Sequence, residues 1–275
     1  MRITLADQWQ LSPLTDLSIP QNDIILPDSL SKALPRSLSE EDISQQEWHL
    51  MHDFELDEHY LTLGAIDLVV QGIYQYAEIR INGRGIIDCD GSGKRETKDA
   101  LSYLQPGFNR IELLFLEQEE FFEEQGDQQE QEDQSSNFLA LTSDGSESKP
   151  LLGLGVGTAP YLKFLQHLRV EKIKVEQIWH SVGGCEVLVS LSFKVFNSGL
   201  VSASISFDGV RLQVPIDMRS EQATALFQLD APRLCSFEPN EEQVVNLLKV
   251  EIDGQVFEFT AKLHPMFESQ TIQLF

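Results

Sequence analysis

Residues 72 to 116 constrain the fold more than any other stretch of the chain. Ala77, Ile79 and Ile81 alternate with Glu78 and Arg80, which gives a strand one apolar face and one charged face. Asn82-Gly83 follows at once; both residues tolerate the positive φ that a tight hairpin needs, and Ile86-Ile87 begins the return. After a polar loop, Pro106-Gly107-Phe108-Asn109 predicts a second turn. Ile111, Leu113 and Phe115 then alternate with Arg110, Glu112 and Leu114. The pattern is that of an all-β protein.

At 275 residues the chain is long enough for two domains, each with its own core. Its formal net charge of −24, from 44 acidic against 20 basic residues, repels polyanions. Nucleic acid and anionic membranes are therefore not expected partners. Cys89, Cys185 and Cys235 are widely spaced, with no CxxC pair and no His at ligand spacing, so neither a disulfide framework nor a zinc site is implied, and no cofactor. The N-terminus lacks an apolar signal region, and no run approaches the ~18 apolar residues of a membrane span. A cytoplasmic protein is the expectation.

Residues 1 to 46 read as extended and loop-like, interrupted by Pro13, Pro20, Pro27 and Pro35. From Glu47 the alternation is regular, with Trp48, Leu50, His52, Phe54 and Leu56 on one face. Trp48 invites comparison with an indole platform for a sugar ring, but its place in the alternation makes it a core residue, and His52 beside it an interior or rim histidine. Leu61 to Val70 is expected to form the next strand.

The segment Asp88 to Asp99 nearly scans as a calcium loop, with Asp88, Asp90, Ser92 and Asp99 as candidate metal ligands and Gly93 at the sixth place. Three features argue against it: Asp99 has a shorter arm than the usual Glu, Arg95 stands where an apolar residue normally anchors the loop, and the flanks read as strands. Glu117 to Ser136 holds nine acids, six glutamines and no base, the composition of a solvated, mobile insertion; a clamp for a basic partner is its functional alternative. A last strand of the first domain is expected within 137–142. Gly153, Gly155 and Gly157 have the wrong spacing for a nucleotide loop and read as a closing segment.

Residues 164 to 275 read as a second β-sandwich of about seven strands, clearest at Cys185, Val187, Val189, Leu191, Phe193 and Val195. Turns are expected at Gly183-Gly184, Asn197 to Gly199, Asp208-Gly209 and Asp253-Gly254.

Several of these stretches carry a resemblance. Gly72-Ile73, Ala77 to Gly83 and Pro106 to Asn109 resemble the "A-acidic-V-x-hydrophobic-N-G … P-G-x-N" pattern of the jelly-roll, galactose-binding-like domain of glycoside hydrolase family 2, especially its β-mannosidase branch. Trp9-Gln10-Leu11, Leu26-Pro27-Asp28-Ser29-Leu30 with Leu34, and Trp48 to Leu56 are similar to further motifs of that domain, in the same order. Ala231 to Ser236 resembles a segment of the family's immunoglobulin-like domain, with Cys235 where the family has Trp. Departures are the short segment Pro35 to Ser44 and Tyr161-Leu162-Lys163, where the enzymes carry residues facing their active site.

The resemblance implies a jelly roll over 1–160 and an immunoglobulin-like sandwich over 164–275. It leaves no length for the catalytic (β/α)₈ barrel of about 250 residues. The function expected is a non-catalytic carbohydrate-binding protein, with sugar contacts from Tyr74, Tyr76, Asp88 and Asp90 at one end of the jelly roll. An interaction or scaffold module, binding a separate catalytic chain or itself, is the alternative. A glycosidase by similarity comes third, because no acid occurs in the Asn-Glu strand-end context that the family uses.

Overall fold

A computed structural model describes residues 1–116, 139–142, 154–181, 183–235, 246–267 and 269–274. The acidic run 117–136 and Gly153 lie outside the described residues. In chain order the strands are β1 (Arg2–Thr4), β2 (Trp9–Pro13), β3 (Asn22–Ile24), β4 (Asp28–Ser29), β5 (Trp48–Leu56), β6 (Ala65–Gln71), β7 (Tyr76–Ile81), β8 (Arg84–Asp90), β9 (Glu96–Asp99), β10 (Gly107–Phe115), β11 (Leu139–Thr142), β12 (Gly155–Val156) and β13 (Thr158–Leu165). Then come β14 (Leu168–Trp179), β15 (Cys185–Val195), β16 (Ser202–Phe207), β17 (Val210–Pro215), β18 (Gln222–Leu229), β19 (Asn246–Ile252), β20 (Gln255–Ala261) and β21 (Gln270–Gln273).

The chain divides into two units, Met1–Glu130 with Ser146–Phe164, and Gln131–Gly145 with Leu165–Phe275. In the first, a six-stranded sheet in the order β3-β2-β5-β10-β7-β8 accompanies a four-stranded sheet in the order β1-β13-β6-β9. The alternation read from the sequence sends Trp48, Leu50, Ile79, Ile81, Ile111 and Leu113 inward, where they pack in one core with Ile66, Leu68, Val70 and Leu162 of the other sheet. Two sheets joined through one apolar layer make a β-sandwich. Trp48 is fully buried, and its indole N–H donates to the Ile43 carbonyl at 2.8 Å. Trp9 is buried in the same way and donates to Leu5 O at 2.8 Å. His52 is an interior histidine stacked on Trp9, ring centroids 5.1 Å apart.

The second unit pairs a five-stranded sheet, β11-β20-β19-β16-β17, with a four-stranded one, β18-β15-β14-β21, around its own core. Three hairpins close on two residues each. Asn82-Gly83, Asp208-Gly209 and Asp253-Gly254 all have positive φ at both positions, as the sharp twist of such turns requires. Asp253 also reaches back: its carboxylate accepts from the backbone N–H groups of His167 and Leu168 and meets His167 Nδ1 at 2.8 Å.

Three expectations need correction. The strand within 137–142 does not close the first sandwich. As β11 it pairs with β20 in the second unit, Leu139 opposite Ala261 and Thr142 opposite Glu258. Its alternation suits either sandwich, and only a long-range backbone edge decides which one takes it. The stretch read as a loop up to residue 46 contains a short helix, α1 (Glu40–Ser44), started by a capping box in which the Ser39 hydroxyl accepts from Asp42 N and the Asp42 carboxylate accepts from Ser39 N. The strand expected from Leu61 begins only at Ala65, because Asp57 caps a 3₁₀ turn over Glu58–Thr62.

The two motif turns of the first unit are locked together by their asparagines. Asn109, 2 % exposed, accepts from Gln105 N at 2.9 Å and donates to the carbonyls of Gln105 and Gly107. Asn82 donates to Asn109 Oδ1 and to Tyr103 O, each at 2.9 Å, and accepts from Arg110 N. Replacing Asn109 by Ala leaves several of these groups unpaired in a buried setting. The first unit is expected to lose roughly 2–3 kcal/mol in urea unfolding, while an exposed control such as Ser37→Ala stays within ~0.5 kcal/mol.

Candidate functional site

The β7–β8 hairpin places three of the four residues expected to meet sugar on one face. Ala77, Ile79, Ile87 and Cys89 point into the core, so the alternate residues point outward, and the register sets Tyr76 opposite Asp90 and Glu78 opposite Asp88. The fourth, Tyr74, lies just before β7 with its ring against Gly93, which no side chain could occupy without displacing that ring. Gly93 also has φ of +69°. Two backbone hydrogen bonds, Gly72 N to Gly93 O and Gly93 N to Ile73 O, tie this turn to the approach of β7. Tyr74, Tyr76 and Asp90 are thereby held at one edge of the six-stranded sheet.

The metal candidates are not brought to one point. Asp90 is engaged locally, its carboxylate accepting from Ser92 N at 2.9 Å, and the hydrogen bonds from Ser92 hold its pKa below the usual value. Asp99 stands on β9, in the other sheet, and accepts from Leu101 N. Among the described residues no group of three or more His, Cys, Asp or Glu side chains is arranged to hold a metal ion.

The outward face continues from the hairpin across β10 and β5. Asp88 and Glu78 share a row with Leu114, His49 and Ser12; Arg80, Glu112, Met51 and Gln10 form the row beside it. Its charges are paired across and along the strands. Arg80 grips Glu78 with two hydrogen bonds of 2.8 and 2.6 Å, and His49 Nε2 lies 3.0 Å from Glu112. Farther along β10, Arg110 holds Asp53 through two contacts of 2.6 and 2.8 Å. The guanidinium in each Arg pair keeps its carboxylate below the ordinary range. Beneath the face, Cys89 is buried beside Glu96, Asp90 and Asp88, and burial first, then those charges, push its thiol up to about 12, so it is no nucleophile at neutral pH.

The sequence does not mark His49 and Glu112 as a pair, because they lie on different strands and only the register brings them together; Arg80, whose partner Glu78 is on its own strand, shows in sequence only as part of the charged face. The outward phase of the alternation at His49 and Glu112 was the available signal.

Residues 23–149 match the family model described as glycosyl hydrolase 2 galactose-binding domain-like. The resemblance to the accessory domains of glycoside hydrolase family 2 holds. Among solved structures, a β-D-mannosidase from Dictyoglomus thermophilum superposes with a TM-score of 0.63 at 14 % identity, over 100 % of this chain and 36 % of its own. A glycosyl hydrolase family 2 member from Bacteroides cellulosilyticus gives 0.57 at 15 % identity, over 99 % of this chain and 36 % of its own. A β-glucuronidase from an uncultured Clostridium gives 0.57 at 13 % identity, over 94 % and 44 %. At these identities the likeness is one of fold, and the chain spans well under half the length of each neighbour. No curated protein matches it in sequence. Among the described residues, no helix is long and apolar enough to cross a membrane.

The Arg110–Asp53 pair gives the face a measurable pH signature. Asp53 has a folded pKa below its ordinary 3.8, so the pair stabilises the fold above that value and loses its effect as pH falls through the folded one. Both side chains are half exposed, and solvent screening keeps the contribution under ~1 kcal/mol. Arg110→Met is expected to lower the unfolding midpoint slightly at pH 7, and by progressively less as pH falls below 3.8 and Asp53 protonates, read from parallel denaturation curves.

Proposed function

We propose that this chain is a non-catalytic carbohydrate-binding protein whose first unit meets sugar on the β7–β8 face, through Tyr74, Tyr76, Asp88 and Asp90. The observation that carries the reading is the convergence of two tyrosines and two acids on one hairpin edge. Aromatic rings cover the C–H faces of a pyranose, and fixed carboxylates accept from its hydroxyls. The family resemblance points the same way. The carboxylates nearest the edge argue for binding over hydrolysis. A glycosidase separates the pKa values of two acids by raising one of them, whereas Asp90 and Glu78 are both held low.

Calorimetric titration with a panel of neutral and charged monosaccharides and disaccharides tests this. One sugar class is expected to bind saturably, and Tyr74→Ala and Tyr76→Ala each to weaken it about tenfold, a loss of ~1.4 kcal/mol. Silence across the panel refutes the reading.

A second reading, a module that pairs with itself or another chain, is favoured by β18. Gln222 to Leu229 is an eight-residue strand at the edge of its sheet, without a charged residue or a proline. Edges left so plain are open to another strand. Concentration-dependent association in sedimentation experiments, abolished by Thr224→Lys, supports this reading; a monomer at all concentrations refutes it.

A further inference from the structure

Among the described residues, the sheet edges other than β18 are guarded. β8 carries Arg84 and Asp88, β9 carries Glu96 and Lys98, and β17 carries Arg211 and Pro215. The edges β1, β3, β4, β11, β12 and β21 have two to four residues each. Charge, proline and shortness all deter another strand. β18 has none of these, and its outward residues Gln222, Thr224, Leu226 and Gln228 are exposed.

The backbone shows which part of this edge is open. Phe193 N donates to Glu221 O at 3.0 Å, one step beyond the ladder in which Ser192 faces Gln222. In an antiparallel ladder, residues bonded to the neighbouring strand alternate with residues whose N–H and C=O point away from it. The odd-numbered residues of β18 therefore bond to β15, and the even-numbered ones turn their backbone groups to the free side. At Gln222 these groups are taken by the Ser220 hydroxyl, which donates to Gln222 O at 2.9 Å and accepts from Gln222 N at 3.4 Å. Thr224, Leu226 and Gln228 remain, and among the described residues no backbone group meets them on that side. Leu226 is the midpoint of this open set.

Resting on the reading of β18 as an edge open to another strand, we infer that the partner is a second copy of this chain, its β18 antiparallel to the first about a two-fold axis at Leu226. Leu226 then faces its own copy and Thr224 faces Gln228 of the second copy, so every open N–H meets an open C=O. The side chains agree with this register. Leu226 is 44 % exposed and lies beside Leu188 on the outward face. Across the axis the same two leucines of the second copy continue the row, and each chain covers apolar surface that the other leaves open. On the core face Ala225 comes opposite Phe227 and Ala223 opposite Leu229, small against large. Asp230, just past the strand, comes opposite Gln222, so no charge of one strand faces a charge of the other. That neutrality matters where each chain carries a net charge of −24.

Sedimentation of the whole protein tests this, with Leu226→Lys and Leu226→Glu measured alone and mixed. Wild type is expected to dimerise reversibly. Each variant alone is expected to weaken the dimer about tenfold, because like charges then stand face to face and the leucine contact is lost. An equimolar mixture is expected to return within about threefold of wild type, because Lys then faces Glu. The position is exposed, so the melting temperature of each variant stays that of wild type. A wild-type monomer at all concentrations refutes this inference and the open edge together. Association that Leu226→Lys leaves unchanged, or that the mixture fails to restore, refutes the two-fold at Leu226 alone; the open edge then stands if Thr224→Lys still abolishes association.

Discussion

The pairing of Asn82 with Asn109 is the contact on which the first unit depends. A two-residue hairpin fixes register only if its turn sits where the sheet needs it, and a slip of one residue would turn every side chain of β7 to the wrong face. Asn82 prevents that slip by joining the β7–β8 turn to the start of β10, through Asn109 Oδ1 and Arg110 N. Asn109 in turn pins the backbone of 105–107. A carboxamide carries both donors and acceptor, so two of them can close such a network where neither a carboxylate nor a hydroxyl could. The motifs "N-G" and "P-G-x-N" are two halves of one clamp.

With that register set, the outward face follows without further specification. Ile79, Ile81, Ile111 and Leu113 must be buried, and so Glu78, Arg80, Glu112 and Leu114 must face out. Their charges then meet across the strands or two residues apart on one strand. The exposed Arg110–Asp53 pair adds little to stability. Its consequence is positional: a guanidinium held by two hydrogen bonds presents its other N–H groups in fixed directions, and it holds the carboxyl pKa values of Glu78 and Asp53 below their usual range. Binding groups held in place before a ligand arrives lose less entropy when it does.

What could be read from the sequence divides along the same line. Asn82-Gly83, Asp208-Gly209 and the alternation at Cys185 to Val195 are local signals, and the hairpins and strands appear where they predict. The capping box at Ser39 was also local, and it was overlooked because the prolines around it suggested only loop. The partner of β11 and the pair His49 with Glu112 depend on residues more than sixty positions away, which no window of sequence reports. Of the candidate site, Tyr76 and Asp90 proved to be cross-strand neighbours because one short hairpin carries both. Asp99, read as part of the same loop, belongs to another sheet.

The family resemblance has a matching limit. The residues that carry it, Trp9, Trp48, Gly72, Asn82, Gly107 and Asn109, are buried in the core or shape the turns. They are the residues a jelly roll needs whatever it binds, which is how the fold is shared with glycosidases at 13–15 % identity. On the proposed reading, ligand choice resides in positions the motifs leave free, and in this unit those are the outward residues of β5, β10, β7 and β8. There a compensated set of charges interleaved with Leu114 and Met51 lies on a protein of net charge −24. On the proposed reading, a surface of that kind discriminates by hydrogen-bond geometry more than by charge.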